Sequence, residues 1–207
     1  MKKILIVLLI TLLLISMVGC QTKHNSSVEY TVGFYNLFGE HIDVITKSTD
    51  FGDVKGVTEG KQTTYTFTCN ENSESITEKQ LVFYNDILMA EKVKFSDLEK
   101  AYLFAKEYRK DFEKNYGKKD TYPNMSSPYS GYLDDISSVE EIKKPCNYYE
   151  DYTVEVSEKK TDKPWLHIDK AQKMLGDIKY SRIDLRLELQ VLSDDLAYVS
   201  VKYMILR

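Results

Sequence analysis

The chain predicts an α+β fold, an antiparallel sheet of hairpins packed against one long and one or two short helices. Three observations carry this. Residues 183–205 alternate apolar and polar in two runs separated by a turn, and Thr63–Cys69 alternates likewise before a polar hairpin loop and a returning strand. Residues 96–117 then carry an apolar stripe of helical period. Paired strands with segregated helices, rather than strict strand–helix alternation, distinguish this class from a parallel α/β sheet.

Val28, Tyr30, Val32 and Phe34 alternate with polar or small residues, which predicts a half-buried strand. Asn36–Glu40, with Gly39, reads as a turn, and Ile42 and Val44 as a returning strand. Ser48–Gly60, rich in Gly, Asp and Thr, reads as loop. In Thr63–Cys69 the residues Tyr65, Phe67 and Cys69 share one face, predicted to be the core, and Thr64, Thr66 and Thr68 the other. Asn70–Ser75 is a polar hairpin loop, Ile76–Tyr84 returns as a strand, Asn85-Asp86 is a bend and Ile87–Phe95 continues extended.

Ser96 and Glu99 have the spacing of a capping box, in which each side chain satisfies the other's orphan backbone N–H. Leu98, Ala101, Tyr102, Ala105, Tyr108, Phe112 and Tyr116 then recur at three- and four-residue steps, so they form one continuous helical stripe. Gly117 fits the left-handed position past the helix end, and Lys110, Lys114, Lys118 and Lys119 suit the negative end of its dipole. Asp120–Tyr132, with two Pro, one Gly and several Ser, is an irregular connection. Ile136, Val139 and Ile142 predict a short helix stopped before Pro145, and residues 149–158 a strand. Trp165, Ile168, Ala171, Leu175 and Ile178 predict a further short helix.

The C-terminus has the clearest strand pattern. Ile183, Leu185, Leu187, Leu189 and Val191 alternate with Arg182, Asp184, Arg186, Glu188 and Gln190. Ser193-Asp194-Asp195 turns the chain, and Val199, Val201, Tyr203 and Ile205 return. The units 61–117 and 165–207 are thus expected to form two halves of one sheet. Its core should include Tyr65, Phe67, Tyr102, Phe112, Leu187 and Val201.

Upstream of the domain, Lys2 and Lys3 precede an apolar run, Ile4–Val18, that contains Thr11 and Ser16 and is shorter than the roughly 20 residues of a membrane span. It ends in Met17-Val18-Gly19-Cys20, which resembles the lipobox of bacterial lipoproteins, with Met17 where that family usually has Leu. The resemblance implies that residues 1–19 are a signal peptide and that Cys20, once lipidated, anchors the chain to the extracytoplasmic face of the cell membrane. A diacylglyceryl group brings two acyl chains, and two chains suffice for stable attachment where one does not. Residues 20–27 are then the lipidated Cys and a flexible tether, Gln21–Ser27 being small and polar. Residues 28–207 form a single α+β extracytoplasmic domain.

Charge narrows the partners. The chain has 28 basic and 32 acidic residues, net −4, and without Lys2 and Lys3 the basic count falls to 26 and the net charge to −6. A mildly acidic chain does not suit nucleic acid. Cys69 and Cys146 remain besides Cys20. Outside the cytoplasm they either pair as a disulfide or stay two separate buried thiols, and the sequence leaves both readings open.

No catalytic elbow, zinc-helix motif, phosphate loop or dinucleotide fingerprint occurs, so no catalytic, cofactor or metal residue is assigned. His24 lies in the tether, and His41 and His167 stand alone in the sequence. The acidic pairs Asp134-Asp135, Glu140-Glu141, Glu150-Asp151 and Asp194-Asp195 read as solvated loop charge. Sixteen Tyr is a high count. Tyr122, Tyr129 and Tyr132 fall in the irregular connection, and Tyr148, Tyr149 and Tyr152 follow Cys146. Tyr supplies rigid amphipathic contact area, so these six are the candidate binding residues.

The expected function is therefore a non-catalytic binding or accessory module for an envelope protein, a peptide or a wall component. The alternatives are a cell-envelope hydrolase using loop carboxylates and the binding component of a transporter, which usually has two α/β lobes. Cys20→Ala should abolish incorporation of labelled fatty acid and leave a precursor or a released protein. Persistent acyl labelling of that variant would refute the anchor.

Overall fold

A computed structural model describes residues 33–69, 75–116, 129–154 and 182–206. Cys20, the tether, the strand expected from Val28 to Val32, Gly117, Tyr122 and the helix expected at 165–178 lie outside the described residues. Eight strands form one sheet: β1 (Val57–Glu59), β2 (Gln62–Thr68), β3 (Ile76–Tyr84), β4 (Ile87–Phe95), β5 (Ser130–Tyr132), β6 (Cys146–Val154), β7 (Arg182–Ser193) and β8 (Leu196–Leu206). Their order across the sheet is β1-β2-β3-β4-β8-β7-β6-β5. Every neighbouring pair is antiparallel except β5 and β6, which are parallel. Helices α1 (Ile42–Ser48) and α2 (Leu98–Tyr116) join them, so the fold is α+β. Among the described residues no helix is long and apolar enough to cross a membrane.

The hairpins follow local chemistry. Asn85 and Asp86 both take positive φ in the two-residue turn between β3 and β4, a conformation that Asn and Asp tolerate better than most residues. Gly60 takes φ +62 in the turn between β1 and β2. The two expected halves meet along β4 and β8, where Ala90–Phe95 run antiparallel to Ala197–Lys202.

Helix α2 lies over this join with Leu98, Ala101, Tyr102, Ala105, Tyr108 and Phe112 buried. Facing it are Leu185, Leu187 and Leu189 of β7 and Val199 and Val201 of β8, all buried. Phe67 is buried as expected, while Tyr65 is only partly covered at the margin, edge-on to Phe51 and Phe83.

Several expectations are corrected. The segment at Ile42 and Val44 is helix α1, not a strand. Ile42 packs against the core and Ile45 is buried, a three-residue step, whereas Val44 is 47% exposed. His41 caps it, accepting from the Asp43 amide at 3.2 Å through Nδ1. Phe34 is not extended either. It opens a 3-10 turn, Phe34–Leu37, because Gly33 ahead of it is left-handed.

The short helix expected at 136–142 is instead two 3-10 turns, Leu133–Asp135 and Val139–Glu141. There the Glu141 carboxylate takes hydrogen bonds from the Ser137 amide and hydroxyl, local bonding that competes with helix. Strand β6 begins at Cys146 rather than at residue 149, because β5 pairs alongside Asn147–Tyr149.

Cys69 and Cys146 are both buried and form no disulfide. Cys69 follows β2 and Cys146 opens β6, with four strands between. At the usual strand spacing those five steps are roughly 24 Å across the sheet, against the roughly 7 Å that a disulfide tolerates between Cα atoms.

The cap of α2 is displaced by one residue from the expected one. Asp97 Oδ1 accepts from the Lys100 amide at 3.0 Å, while the Ser96 hydroxyl donates to the Ser75 carbonyl at the start of β3. Asp97→Ala should therefore cost about 1 kcal/mol in urea unfolding, as N-cap removals do. A larger loss from Ser96→Ala than from Asp97→Ala would restore the capping-box reading.

Candidate functional site

Strand parity divides the candidate tyrosines. β6 pairs with β7 so that Tyr148, Glu150 and Tyr152 oppose Leu189, Leu187 and Leu185, on the face covered by α2. Tyr149 and Asp151 oppose Glu188 and Arg186, on the other face. Tyr152 is buried, donates to Glu150 Oε2 at 2.8 Å and stands edge-on to Phe112. The Tyr148 hydroxyl accepts from the Lys143 amide at 2.7 Å. A Cβ on Gly131 would lie 3.0 Å from the Tyr148 ring carbons, so the close approach of β5 to this ring depends on glycine. Burial raises the pKa of both phenols. Tyr148 and Tyr152 are thus structural residues, and a contact surface is left with Tyr129, Tyr132 and Tyr149.

Tyr132 pairs with Tyr149 across the parallel ladder, the two rings 6.4 Å apart and edge-on. Tyr129 precedes β5 and is 64% exposed, and its carbonyl accepts from the Asn147 amide at 2.9 Å. Beside Tyr149, Arg186 makes two parallel hydrogen bonds to Asp151, at 2.6 and 2.7 Å. The guanidinium lies 5.0 Å from the centre of the Tyr149 ring. Its hydrogen bonds to Asp151 are the main reason its pKa is raised. Lys202 on β8 pairs with Glu188 at 3.0 Å, and Lys92 on β4 sits over the Tyr198 ring at 4.1 Å. The face away from α2 is therefore a row of aromatic rings interleaved with cations. Such a surface stacks and hydrogen-bonds. Arg186 is committed to Asp151 and Lys202 to Glu188, so the rings of Tyr132 and Tyr149 supply the contact area of this face, with the exposed Tyr129 just before β5.

The acidic pairs serve turns and ion pairs. Glu150 is buried and lies 3.4 Å from Arg109 Nε, which also meets Glu113 at 3.0 Å, while Arg109 Nη2 bonds Asp134. Burial lowers the pKa of Arg109, but these three carboxylates more than offset that. Asp194 pairs with Lys144. Glu150 and Asp151 point to opposite faces of the sheet. Among the described residues no group of three or more His, Cys, Asp or Glu is placed to hold a metal ion.

Among the described residues, the carboxyl with a raised pKa is one that sequence reasoning did not single out. Glu91 of β4 is pushed up to about 7 by burial, against the pull of Lys79, Tyr108 and the backbone amides of Phe34 and Gly33. The Arg186–Asp151 and Arg109–Glu150 pairs were also missed. Their only signal is charge at matching strand positions or across helix and sheet, which needs the register to be known.

No protein-family model, curated protein or solved structure matches the chain.

The two ion pairs of the aromatic face should differ in weight. Arg186→Ala leaves the buried Asp151 carboxylate uncompensated and should cost about 3 kcal/mol in denaturant unfolding. Lys202→Ala breaks a more exposed pair and should cost less than about 1 kcal/mol. Equal losses would contradict this reading of Asp151.

Proposed function

We propose that this chain is a lipid-anchored extracytoplasmic protein whose α+β domain binds an envelope protein, a peptide or a wall component without transforming it. The observation that carries the reading is the pair Tyr132 and Tyr149 beside the Arg186–Asp151 pair, on the sheet face opposite α2, with the exposed Tyr129 just before β5. Tyrosine rings held by a rigid sheet lose little conformational freedom on contact, and a guanidinium clamped by its own carboxylate keeps Tyr149 in place. The lipobox-like Cys20 and the polar Gln21–Ser27 support the location. A seven-residue flexible tether keeps the domain within roughly 15 Å of the anchor, so its ligand is membrane-proximal.

Replacing Tyr129, Tyr132 and Tyr149 together by Ser should abolish capture of the ligand from solubilised envelope proteins and wall fragments, with the circular dichroism spectrum unchanged. Tyr148→Phe, which removes only a hydroxyl that accepts from the backbone of the core face, should leave capture intact. Undiminished capture by the triple variant would refute the surface, and turnover of a captured wall fragment would refute the class.

A further inference from the structure

Glu91 sits at the centre of the sheet on the face covered by α2 and is 1% exposed. One carboxylate oxygen, Oε2, accepts from the Tyr108 hydroxyl at 3.3 Å, and the other, Oε1, is buried with no hydrogen-bond partner. Lys79, also buried, lies on the same face of β3, one step along from Leu81, the residue opposite Glu91. On β8 the residue opposite Glu91 is Val201, which is apolar.

The remaining cover is the N-terminal turn. The amides of Gly33 and Phe34 lie close enough to favour the carboxylate, and Tyr35 stands edge-on to Tyr108 at 4.8 Å and to Phe112 at 5.0 Å. The Tyr35 hydroxyl donates to Asp111 Oδ2 at 2.8 Å. The groups facing Glu91 are therefore Lys79 from β3, Tyr108 from α2, and Tyr35 with two amides from the turn. Tyr35 is backed by Asp111.

Lifting the turn hydrates the carboxylate, and ionisation of a buried carboxyl favours any opening that hydrates it. We propose that the N-terminal turn Gly33–Leu37 is a proton-controlled latch, seated over β4 while Glu91 is neutral and lifting more readily once Glu91 ionises. The burial-raised pKa of Glu91 agrees with this. A carboxyl whose pKa is higher when covered contributes stability that is complete below its ordinary value of 4.5. That stability is lost as pH rises through about 7.

Hydrogen exchange of the intact chain tests the latch. After correction for intrinsic rates, the opening equilibrium of amides 34–41 should rise by about tenfold or more between pH ~5.5 and ~8.5, while amides of β7 keep a constant ratio. In Glu91→Gln the rise should vanish. Asp111→Asn loosens the Tyr35 anchor and should raise opening by one factor at every pH, keeping the slope. Carboxyl ¹³C shifts of the unmodified protein should show a Glu titrating near pH 7, which serves if Glu91→Gln does not fold. The latch is refuted if amides 34–41 show no pH slope or if the slope survives in Glu91→Gln. It is equally refuted if Asp111→Asn removes the slope, or if every Glu titrates below about pH 5.5.

Discussion

Everything in this fold depends on the ladder between β4 and β8. It is the backbone connection between two hairpin systems, 57–95 and 182–206, that are distant in sequence. Val93 meets Val199 and Phe95 meets Ala197 across it, so the join is also the centre of the core. Such a contact orders a long intervening chain before it gains anything, and the burial of α2 over the join offsets that cost. Helix α2 is fastened to both sides. The Leu98 amide donates to the Asp194 carbonyl in the turn between β7 and β8, and Tyr108 donates to Glu91 on β4.

Among the described residues, the helices and 3-10 turns all pack on one side of the sheet. Parity along a strand therefore decides whether a residue is structural or available. β6 shows the consequence at successive positions. Glu150 turns inward and meets Arg109 of α2, and Asp151 turns outward and meets Arg186 of β7. Two adjacent carboxylates are each neutralised by an arginine from a different layer. The same alternation takes Tyr148 and Tyr152 into the core and leaves Tyr149 outside. Buried ion pairs of this kind add little net stability over apolar packing, but removing one partner strands the other, so they hold register strongly.

The aromatic surface and the Glu91 cluster share no residue and lie on opposite faces of the sheet. The former uses the edge built by β5 and β6, and the latter the centre and the N-terminal turn. The proposed contact surface and the proposed latch can therefore be altered independently.

The sequence by itself determined the α+β class, both main hairpins and α2, because alternation and helical periodicity are local and each element buries one face. It placed Phe67, Tyr102, Phe112, Leu187 and Val201 in the core, as the structure has them. It mistook the segment at Ile42 and Val44 for a strand because three apolar residues in four positions fit either period, and histidine is not an expected cap. It grouped six tyrosines by nearness in the chain, and only strand pairing could separate Tyr132 and Tyr149 from Tyr148 and Tyr152. Tertiary structure alone decided that Cys69 and Cys146 have four strands between them, that Arg186 clamps Asp151, and that Glu91 is sealed beneath the N-terminal turn. The physical reason is common to all three. Register and layer order are set by pairing between distant segments, and no local pattern of residues encodes which distant segment will arrive.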